Sequence, residues 1–268
     1  MTDDALFEID ELTVRYRMRR RQARAGRYLK ALDRVSLRWN QGETLALVGE
    51  SGSGKSTLGR ALLGLIQPAS GSVRYRGQEL RSVDRTSFRR EVQIIFQDPY
   101  QSLNPRSPVS RQVSAGLDIH RVGRPGPQRV AIGLAALDAA GLRPPETYWH
   151  RYPHQLSGGE RQRVVIAGAM ALAPSVLICD EPVSALDISV RAQVLQVLAG
   201  LRRDRGLSLL FITHDVSLAR QMADRVAVLY QGHLVEQGPT EQILQDPQHD
   251  YTKELLAAVP GARLRSTP

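Results

Sequence analysis

Short apolar runs alternate with segments of helical periodicity along most of the chain. Four runs have the length and composition of buried strands: Leu45–Val48, Val92–Phe96, Val176–Cys179 and Ser208–Thr213. Helical spacing of apolar residues separates them and predicts these helices: Leu58–Leu65, Gly158–Ala173, Ser189–Arg203 and Val216–Met222. Strands that alternate with helices predict an α/β fold with a mostly parallel sheet.

The two ends of the chain and one internal stretch depart from this alternation. Leu6–Val14 and Tyr28–Trp39 predict N-terminal strands, and Val226–Tyr230 with His233–Gln237 predict a hairpin. Residues 98–163 contain no convincing strand, so we expect a helical subdomain inserted into the α/β core. The predicted organisation is one domain, with a core at residues 5–97 and 164–240, the subdomain at 98–163 and a helical tail at 241–268.

The segment Gly49–Thr57 matches the phosphate-binding loop pattern, Gly-x4-Gly-Lys-Ser/Thr, between a predicted strand and a predicted helix. Its glycines let the backbone approach an anion, and successive N–H groups then point at the phosphates. Lys55 is expected to reach the β- and γ-phosphates, and the Ser56 hydroxyl to hold Mg²⁺. The predicted nucleotide-binding residues of this loop are Gly49, Ser51, Gly52, Ser53, Gly54, Lys55, Ser56 and Thr57. The flanking strand and helix disfavour a chance match.

Three of the buried strands end in polar residues, namely Gln97, Asp180 with Glu181, and His214. Ligands of parallel sheets bind at the carboxyl ends of the strands, so we expect these residues near Lys55. Asp180 is suited to hold Mg²⁺ through water, and Glu181 to polarise an attacking water. Taken alone, His214 is more often a structural histidine, and the acidic pair could be a solvated turn.

Composition is that of a soluble globular protein, with 268 residues, 42% hydrophobic and 24% charged. No apolar run approaches the length of a membrane span, and the acidic start lacks a signal core. With Cys179 as its single cysteine, the chain fits a cytoplasmic setting. The net charge of +9 comes mostly from arginine and is densest in Arg15–Arg27. It indicates either contact with an anionic surface or a genome rich in arginine codons.

The segment Leu156–Glu160, Leu-Ser-Gly-Gly-Glu, completes a set of motifs that resembles the ATP-binding subunit of ABC transporters over Leu6–Val259. The resemblance implies a P-loop NTPase fold with an ABC-type ATPase core, an N-terminal antiparallel β part and an inserted helical subdomain. It also implies a head-to-tail dimer, in which each ATP lies between the phosphate loop of one chain and the Leu-Ser-Gly-Gly segment of the other.

The same resemblance implies roles for individual residues. Glu181 would be the general base, His214 would contact the γ-phosphate, and Asp180 would hold Mg²⁺. Gln97 would sense Mg²⁺ and the attacking water and couple them to the helical subdomain. Tyr16 looks like the aromatic that stacks on adenine, although it could equally be a packing residue. The residues implied to act across the dimer are Ser157, Gly158, Gly159 and Asp187.

Longer segments resemble the peptide/nickel importer group, and within it the second (F-type) ATPase subunit. They are Phe96–Arg106, Tyr152–Gly159, Cys179–Asp187 and Tyr251–Pro260. This implies a peripheral protein on the cytoplasmic face of the membrane. Its implied partners are a second ABC ATPase in a heterodimer, two permease subunits and an extracytoplasmic solute-binding protein. No nucleic acid is expected.

Three departures from the group's pattern stand out. The chain lacks a cysteine-rich tail, so we expect no iron–sulfur cluster. Gly168 stands where an arginine is usual after the signature helix, and Asp250 where a proline is usual. The first leaves one local contact in doubt, and the second is expected to have little effect.

The sequence therefore predicts an ATPase that couples ATP and Mg²⁺ binding and hydrolysis to uptake of peptides, nickel or a related solute. Two alternatives stay open. One is a soluble ABC ATPase that acts on nucleic acid or ribosomes, which the basic charge motivates. The other is a nucleotide-binding regulator without hydrolysis, which intact Asp180, Glu181 and His214 disfavour.

Overall fold

The computed structural model describes residues 5–17 and 28–258. These residues form two compact units: the first holds those up to Val83 and from Leu210 onward, and the second is Asp84–Leu209. Most of the basic segment, residues 18–27, lies outside the described residues, as do the last ten residues of the predicted tail. The predicted helical subdomain, residues 98–163, falls within the second unit.

The strands are β1 (Ala5–Arg17), β2 (Tyr28–Asn40), β3 (Thr44–Val48), β4 (Ser70–Tyr75), β5 (Gln78–Glu79), β6 (Val92–Ile95), β7 (Val176–Asp180), β8 (Ser208–Thr213), β9 (Arg225–Tyr230) and β10 (His233–Pro239). The helices are α1 (Lys55–Leu62), α2 (Arg85–Glu91), α3 (Pro99–Ser102), α4 (Val109–Ile119), α5 (Pro127–Ala139), α6 (Pro145–Trp149), α7 (Gly158–Met170), α8 (Ile188–Arg205), α9 (Val216–Met222), α10 (Thr240–Gln245) and α11 (Asp250–Ala257). A 3₁₀ turn at Pro153–Gln155 precedes α7.

In the first unit, an antiparallel sheet of order β2-β1-β4-β5 confirms the predicted N-terminal β part. Phe7 of β1 is fully buried, and its ring stacks on Trp39 of β2 at 5.4 Å between centroids and packs against Tyr75 of β4 at 4.9 Å. Trp39 Nε1 donates to the Glu43 carbonyl at 3.1 Å, so the indole is buried with its polar atom paired.

The same unit holds the strand that leads into the phosphate loop. β3 is fully buried and pairs in parallel with β9, and β10 pairs antiparallel with β9 as the predicted hairpin. Ala46 and Val48 of β3 form a hydrophobic cluster with Val226 and Val228 of β9 and with Tyr251 of α11. The C-terminal helix is thus part of the core behind the loop.

The second unit pairs β6 and β7 in parallel and contains helices α2 to α8. Between Asp98 and Arg163 there are helices and no strand. Helix α5 lies so close to α6 that a Cβ on Gly133 would come within 2.5 Å of the Trp149 ring. Helix α2 was not predicted because Phe88 is its one buried residue, although its N-cap, Asp84, accepts from the Ser87 N–H as capping residues do. No helix of residues 5–17 and 28–258 is both long and apolar enough to cross a membrane.

Candidate nucleotide site

The phosphate loop connects β3 to α1 through glycines with positive φ: Gly49 at 150°, Gly52 at 83° and Gly54 at 109°. Two of them also need the absence of a side chain. A Cβ on Gly49 would lie 2.1 Å from the Leu229 carbonyl oxygen, and one on Gly54 would lie 2.5 Å from that of Ala31. The loop is therefore held against β9 and β2 at distances that glycine alone allows.

Lys55, the first residue of α1, is buried within this loop. Its side chain is 4% exposed, and Nζ donates to the carbonyl oxygens of Gly49 and Glu50, each at 2.7 Å. Within the described part of the chain, the buried Ser53 hydroxyl has no hydrogen-bond partner. A buried ammonium and an unpaired hydroxyl in a glycine loop at a helix N-terminus fit a phosphate group, which could accept from both.

The other predicted residues of the first unit lie in more open positions. Ser51 is exposed in the loop, and Ser56 and Thr57 are half-buried in the first turn of α1. Tyr16 of β1 is 39% exposed opposite Leu29 of β2, so its ring is accessible for stacking. His214 is exposed between β8 and α9. Their roles stay predictions.

In the second unit, the ends of β6 and β7 meet as expected from the parallel register, in which Ile95 lies beside Cys179. Gln97 Nε2 donates to Glu181 Oε2 at 3.2 Å. Asp180, the last residue of β7, is buried at 5% exposure. The structure thus brings two of the three predicted polar strand ends together, and their proximity to Lys55 stays a prediction.

Glu181 has a left-handed backbone conformation with φ of 47°, which is uncommon for a residue with a Cβ. The turn that follows holds it there, because the N–H and the hydroxyl of Ser184 both donate to the Glu181 carbonyl oxygen, at 3.3 and 3.1 Å. Six other non-glycine residues of the described chain have φ between 47° and 53°, so this backbone conformation does not by itself single out Glu181, and its catalytic role stays a prediction.

The Leu-Ser-Gly-Gly segment forms the N-terminus of α7. Ser157 is its N-cap, and a capping box joins Ser157 and Glu160 in both directions. Burial raises the pKa of Glu160, but hydrogen bonds from the Ser157 N–H and hydroxyl outweigh it, so that pKa lies below its ordinary value. A Cβ on Gly159 would lie 2.2 Å from Val190 Cγ1, so α7 packs closely on the start of α8 there, while Gly158 has ordinary clearance. Asp187 precedes α8 with an exposed side chain that caps no N–H group of that helix.

One contact joins α3, which follows Gln97, to α7, the helix that begins at the Leu-Ser-Gly-Gly segment. The Arg161 guanidinium of α7 lies 4.1 Å from the centroid of the Tyr100 ring in α3, a cation–π distance. Arg161 Nε also donates to the Pro153 carbonyl at 2.6 Å. The coupling role that the resemblance implies for Gln97 stays a prediction.

Sequence reasoning did not predict that Tyr251 belongs to the surroundings of the phosphate loop. The hydroxyl oxygen of Tyr251, in the C-terminal helix, accepts from the Glu50 N–H at 2.9 Å. Tyr251 stood within a recognised segment, but nothing in its spacing indicated a contact with a loop 201 residues earlier in the chain.

Comparison with protein families matches residues 32–184 to the family model described as ABC transporter. Among curated relatives, the oligopeptide transport ATP-binding protein YkfD of Bacillus subtilis (strain 168) is 43% identical over 258 residues, which are 95% of this chain and 76% of YkfD. The glutathione import ATP-binding protein GsiA of Escherichia coli O157:H7 is 47% identical over 242 residues, which are 89% of this chain and 38% of GsiA. The chain thus spans well under half the length of GsiA.

Two solved structures share the architecture. CbiO1 from Clostridium perfringens, described as part of the ABC transporter complex cbiONQ, superimposes with a TM-score of 0.77 at 26% identity. The match covers 91% of this chain and 92% of the CbiO1 chain. A dimeric, post-hydrolysis structure of the ATP-binding cassette MJ0796 with ADP and Pi gives a TM-score of 0.75 at 28% identity, over 87% of this chain and 98% of its own. The predicted fold class is confirmed.

Proposed function

Because this chain belongs to the ABC transporter family, we propose that it is the ATP-hydrolysing subunit of an importer and acts at the cytoplasmic face of the cell membrane. One observation carries the hydrolytic part of the proposal. Glu181 directly follows buried Asp180, and its carboxylate accepts a hydrogen bond from Gln97 Nε2 at 3.2 Å. A carboxylate fixed in this way can orient and deprotonate a water, which is the main task that phosphoryl transfer leaves to the protein.

The proposed reaction uses this chain's residues in few roles. The Glu181 carboxylate takes a proton from water as the water oxygen bonds to the γ-phosphorus. The bond from that phosphorus to the β,γ-bridging oxygen breaks, and ADP and inorganic phosphate result. Lys55 balances the phosphate charge, and the hydroxyl, amide and carboxylate oxygens of Ser56, Gln97 and Asp180 are donors of the type that Mg²⁺ prefers. Bound Mg²⁺ would neutralise charge that develops on the phosphates.

Transport enters the proposal through the relatives. YkfD is named for oligopeptide transport and GsiA for glutathione import, so peptides and peptide-like solutes are the proposed cargo. Nickel stays a prediction of the sequence resemblance. Two permease subunits and a solute-binding protein are the proposed partners, with a second ATPase chain as the other half of a head-to-tail dimer. The relatives support transport over action on nucleic acid, an alternative that depended on charge.

The test begins with a tagged Glu181→Gln form purified from native membranes in the presence of ATP. We expect a second ATPase chain and two membrane chains to accompany it. Recovery of the tagged chain alone, or with nucleic acid, would contradict the proposal that this chain is a subunit of an importer.

Hydrolysis by the recovered complex is then compared between variants. Glu181→Gln should lower turnover by at least about 100-fold, the usual contribution of a general base, and should leave ATP binding intact. Glu241→Gln is a matched control, because Glu241 also accepts an amide hydrogen bond, from Gln245 Nε2 at 2.8 Å, on a helix without predicted site residues. Unchanged turnover in Glu181→Gln would exclude this residue as the base.

A further inference from the structure

The C-terminal helix α11 contacts the phosphate loop through the hydroxyl of Tyr251. Tyr251, in its first turn, is 6% exposed, and its oxygen lies 2.9 Å from the Glu50 nitrogen, which donates to it. Glu50 is the second residue of the loop. An N–H group held by Tyr251 is not available to a phosphate, so this contact shapes the loop instead of forming part of its anion-binding surface.

The geometry of one peptide unit connects this contact to Lys55. The Glu50 N–H and the Gly49 carbonyl belong to the same peptide group, which is planar and trans, so the two bonds point in opposite directions. The hydroxyl of Tyr251 fixes the N–H end, and the carbonyl end accepts from Lys55 Nζ at 2.7 Å. Whatever orients one end therefore orients the other.

Glu50 has a second link to the same ammonium. Its own carbonyl accepts from Lys55 Nζ at 2.7 Å and from the Ser53 N–H at 3.2 Å. The chain of contacts thus runs from Tyr251 through one loop residue to the buried lysine and to the residue with the unpaired hydroxyl.

The Tyr251 ring is itself held from several directions. It lies 4.1 Å, centroid to centroid, from the Tyr230 ring of β9. The backbone N–H of Tyr251 donates to His249 Nδ1 at 3.2 Å. The N–H groups of Gln248 and His249 in turn donate to the Glu236 carboxylate of β10, at 2.8 and 3.2 Å. Burial raises the pKa of the Tyr251 phenol, so the hydroxyl stays protonated at neutral pH.

We propose that Tyr251 is a positioning residue for nucleotide binding: its hydroxyl sets the orientation of the Gly49–Glu50 peptide and thereby the place of the Lys55 ammonium. This inference rests on the proposed function, since it assumes that the loop binds ATP. It extends the nucleotide site to a helix that follows the last strand of the unit. Tyr251 does not contact the nucleotide in this proposal, because it acts on Lys55 through the Gly49–Glu50 peptide.

The test compares two tyrosines of the same ring pair. Tyr251→Phe keeps the buried ring and removes the hydroxyl that contacts the loop. Tyr230→Phe is the matched control, because its hydroxyl instead accepts from Gln231 Nε2 at 3.0 Å. Both are made in the Glu181→Gln background, so that Mg·ATP is not consumed, and binding is titrated by calorimetry.

We expect the dissociation constant for Mg·ATP to rise about fivefold in Tyr251→Phe, the size of effect that one net hydrogen bond produces, and less than twofold in Tyr230→Phe. A merely structural role for the hydroxyl would lower the binding stoichiometry, as part of the protein unfolds, and leave the dissociation constant unchanged. That outcome would overturn the inference. Absence of binding by the parent form would overturn the proposed function together with it.

A second measurement needs no nucleotide. Amide hydrogen exchange of the peptide that contains Glu50 should be about fivefold faster in Tyr251→Phe than in Tyr230→Phe, because the donor has lost its acceptor. Equal exchange in the two variants would show that the hydroxyl does not hold the loop.

Discussion

Gly49 is the position where the fold places the strictest demand on the phosphate loop, and Gly49→Ala tests it. The parallel register sets Val48 of β3 beside Val228 of β9, which brings the Leu229 carbonyl against the next residue of the loop. An alanine Cβ at position 49 would lie 2.1 Å from that oxygen, whereas ordinary contact begins at 3.4 Å. The oxygen belongs to the backbone of a buried strand, so it has no rotamer through which to move away.

The cost has two parts that a second glycine separates. At Gly52, with φ of 83°, an added Cβ would meet nothing within 4 Å. Gly52→Ala therefore adds only the left-handed backbone penalty of about 1–2 kcal/mol, partly offset by the lower entropy of the unfolded chain. Gly49→Ala adds the overlap as well, and overpacking in a close-packed region costs about 1–3 kcal/mol. Its φ of 150° also lies further from the left-handed well that alanine can occupy than the 83° of Gly52. The difference between the two variants should therefore be at least about 2 kcal/mol.

Urea unfolding without nucleotide or Mg²⁺ measures this difference directly. With a slope of about 2–3 kcal/mol per molar urea, the midpoint of Gly49→Ala should lie at least roughly 0.7–1 M below that of Gly52→Ala. Nucleotide is omitted so that altered binding does not alter the apparent stability. Equal midpoints would refute the reasoning, because they would mean that the loop or β9 shifts at little cost to relieve the overlap.

Three further outcomes follow from other parts of the molecule. Gly168→Ala in α7 should stabilise the protein by about 0.5–1 kcal/mol, because alanine favours a helix more than glycine does. The new Cβ would lie at ordinary contact distances, 3.7 Å from the Gln112 carbonyl oxygen and 3.9 Å from Val113 Cα. A fall in the thermal unfolding midpoint would contradict this prediction. Burial raises the pKa of Glu236, but hydrogen bonds from backbone N–H groups outweigh it, so the pKa lies below its ordinary value of 4.5. The ionised carboxylate therefore stabilises the fold above pH 4.5, and this contribution is lost as the pH falls through the folded pKa. Glu236→Gln should accordingly flatten the acid limb of a plot of unfolding free energy against pH. Burial also raises the pKa of the fully buried Cys179 thiol, so iodoacetamide should label it in urea and not in the native state, as mass spectrometry would show.

The parts of the site that the sequence predicted are those with a local signal. The phosphate loop is predicted by the spacing of its glycines between a strand and a helix. The contact between Gln97 and Glu181 follows from two parallel strands that end in polar residues. Helix α2 was missed because a short helix with one buried side chain has no measurable periodicity. The contact between Tyr251 and Glu50 depends on how α11 packs behind β3, and no local pattern encodes that packing.

The left-handed backbone of Glu181 also bears on how descendants of this gene could change. At a φ of 47° glycine and aspartate are tolerated more easily than most residues. A single base change converts a glutamate codon into either of them. A duplicated copy released from selection for turnover would therefore meet little resistance from folding at this position. Pairs of such genes could readily evolve into one active member and one inert member that retains its shape.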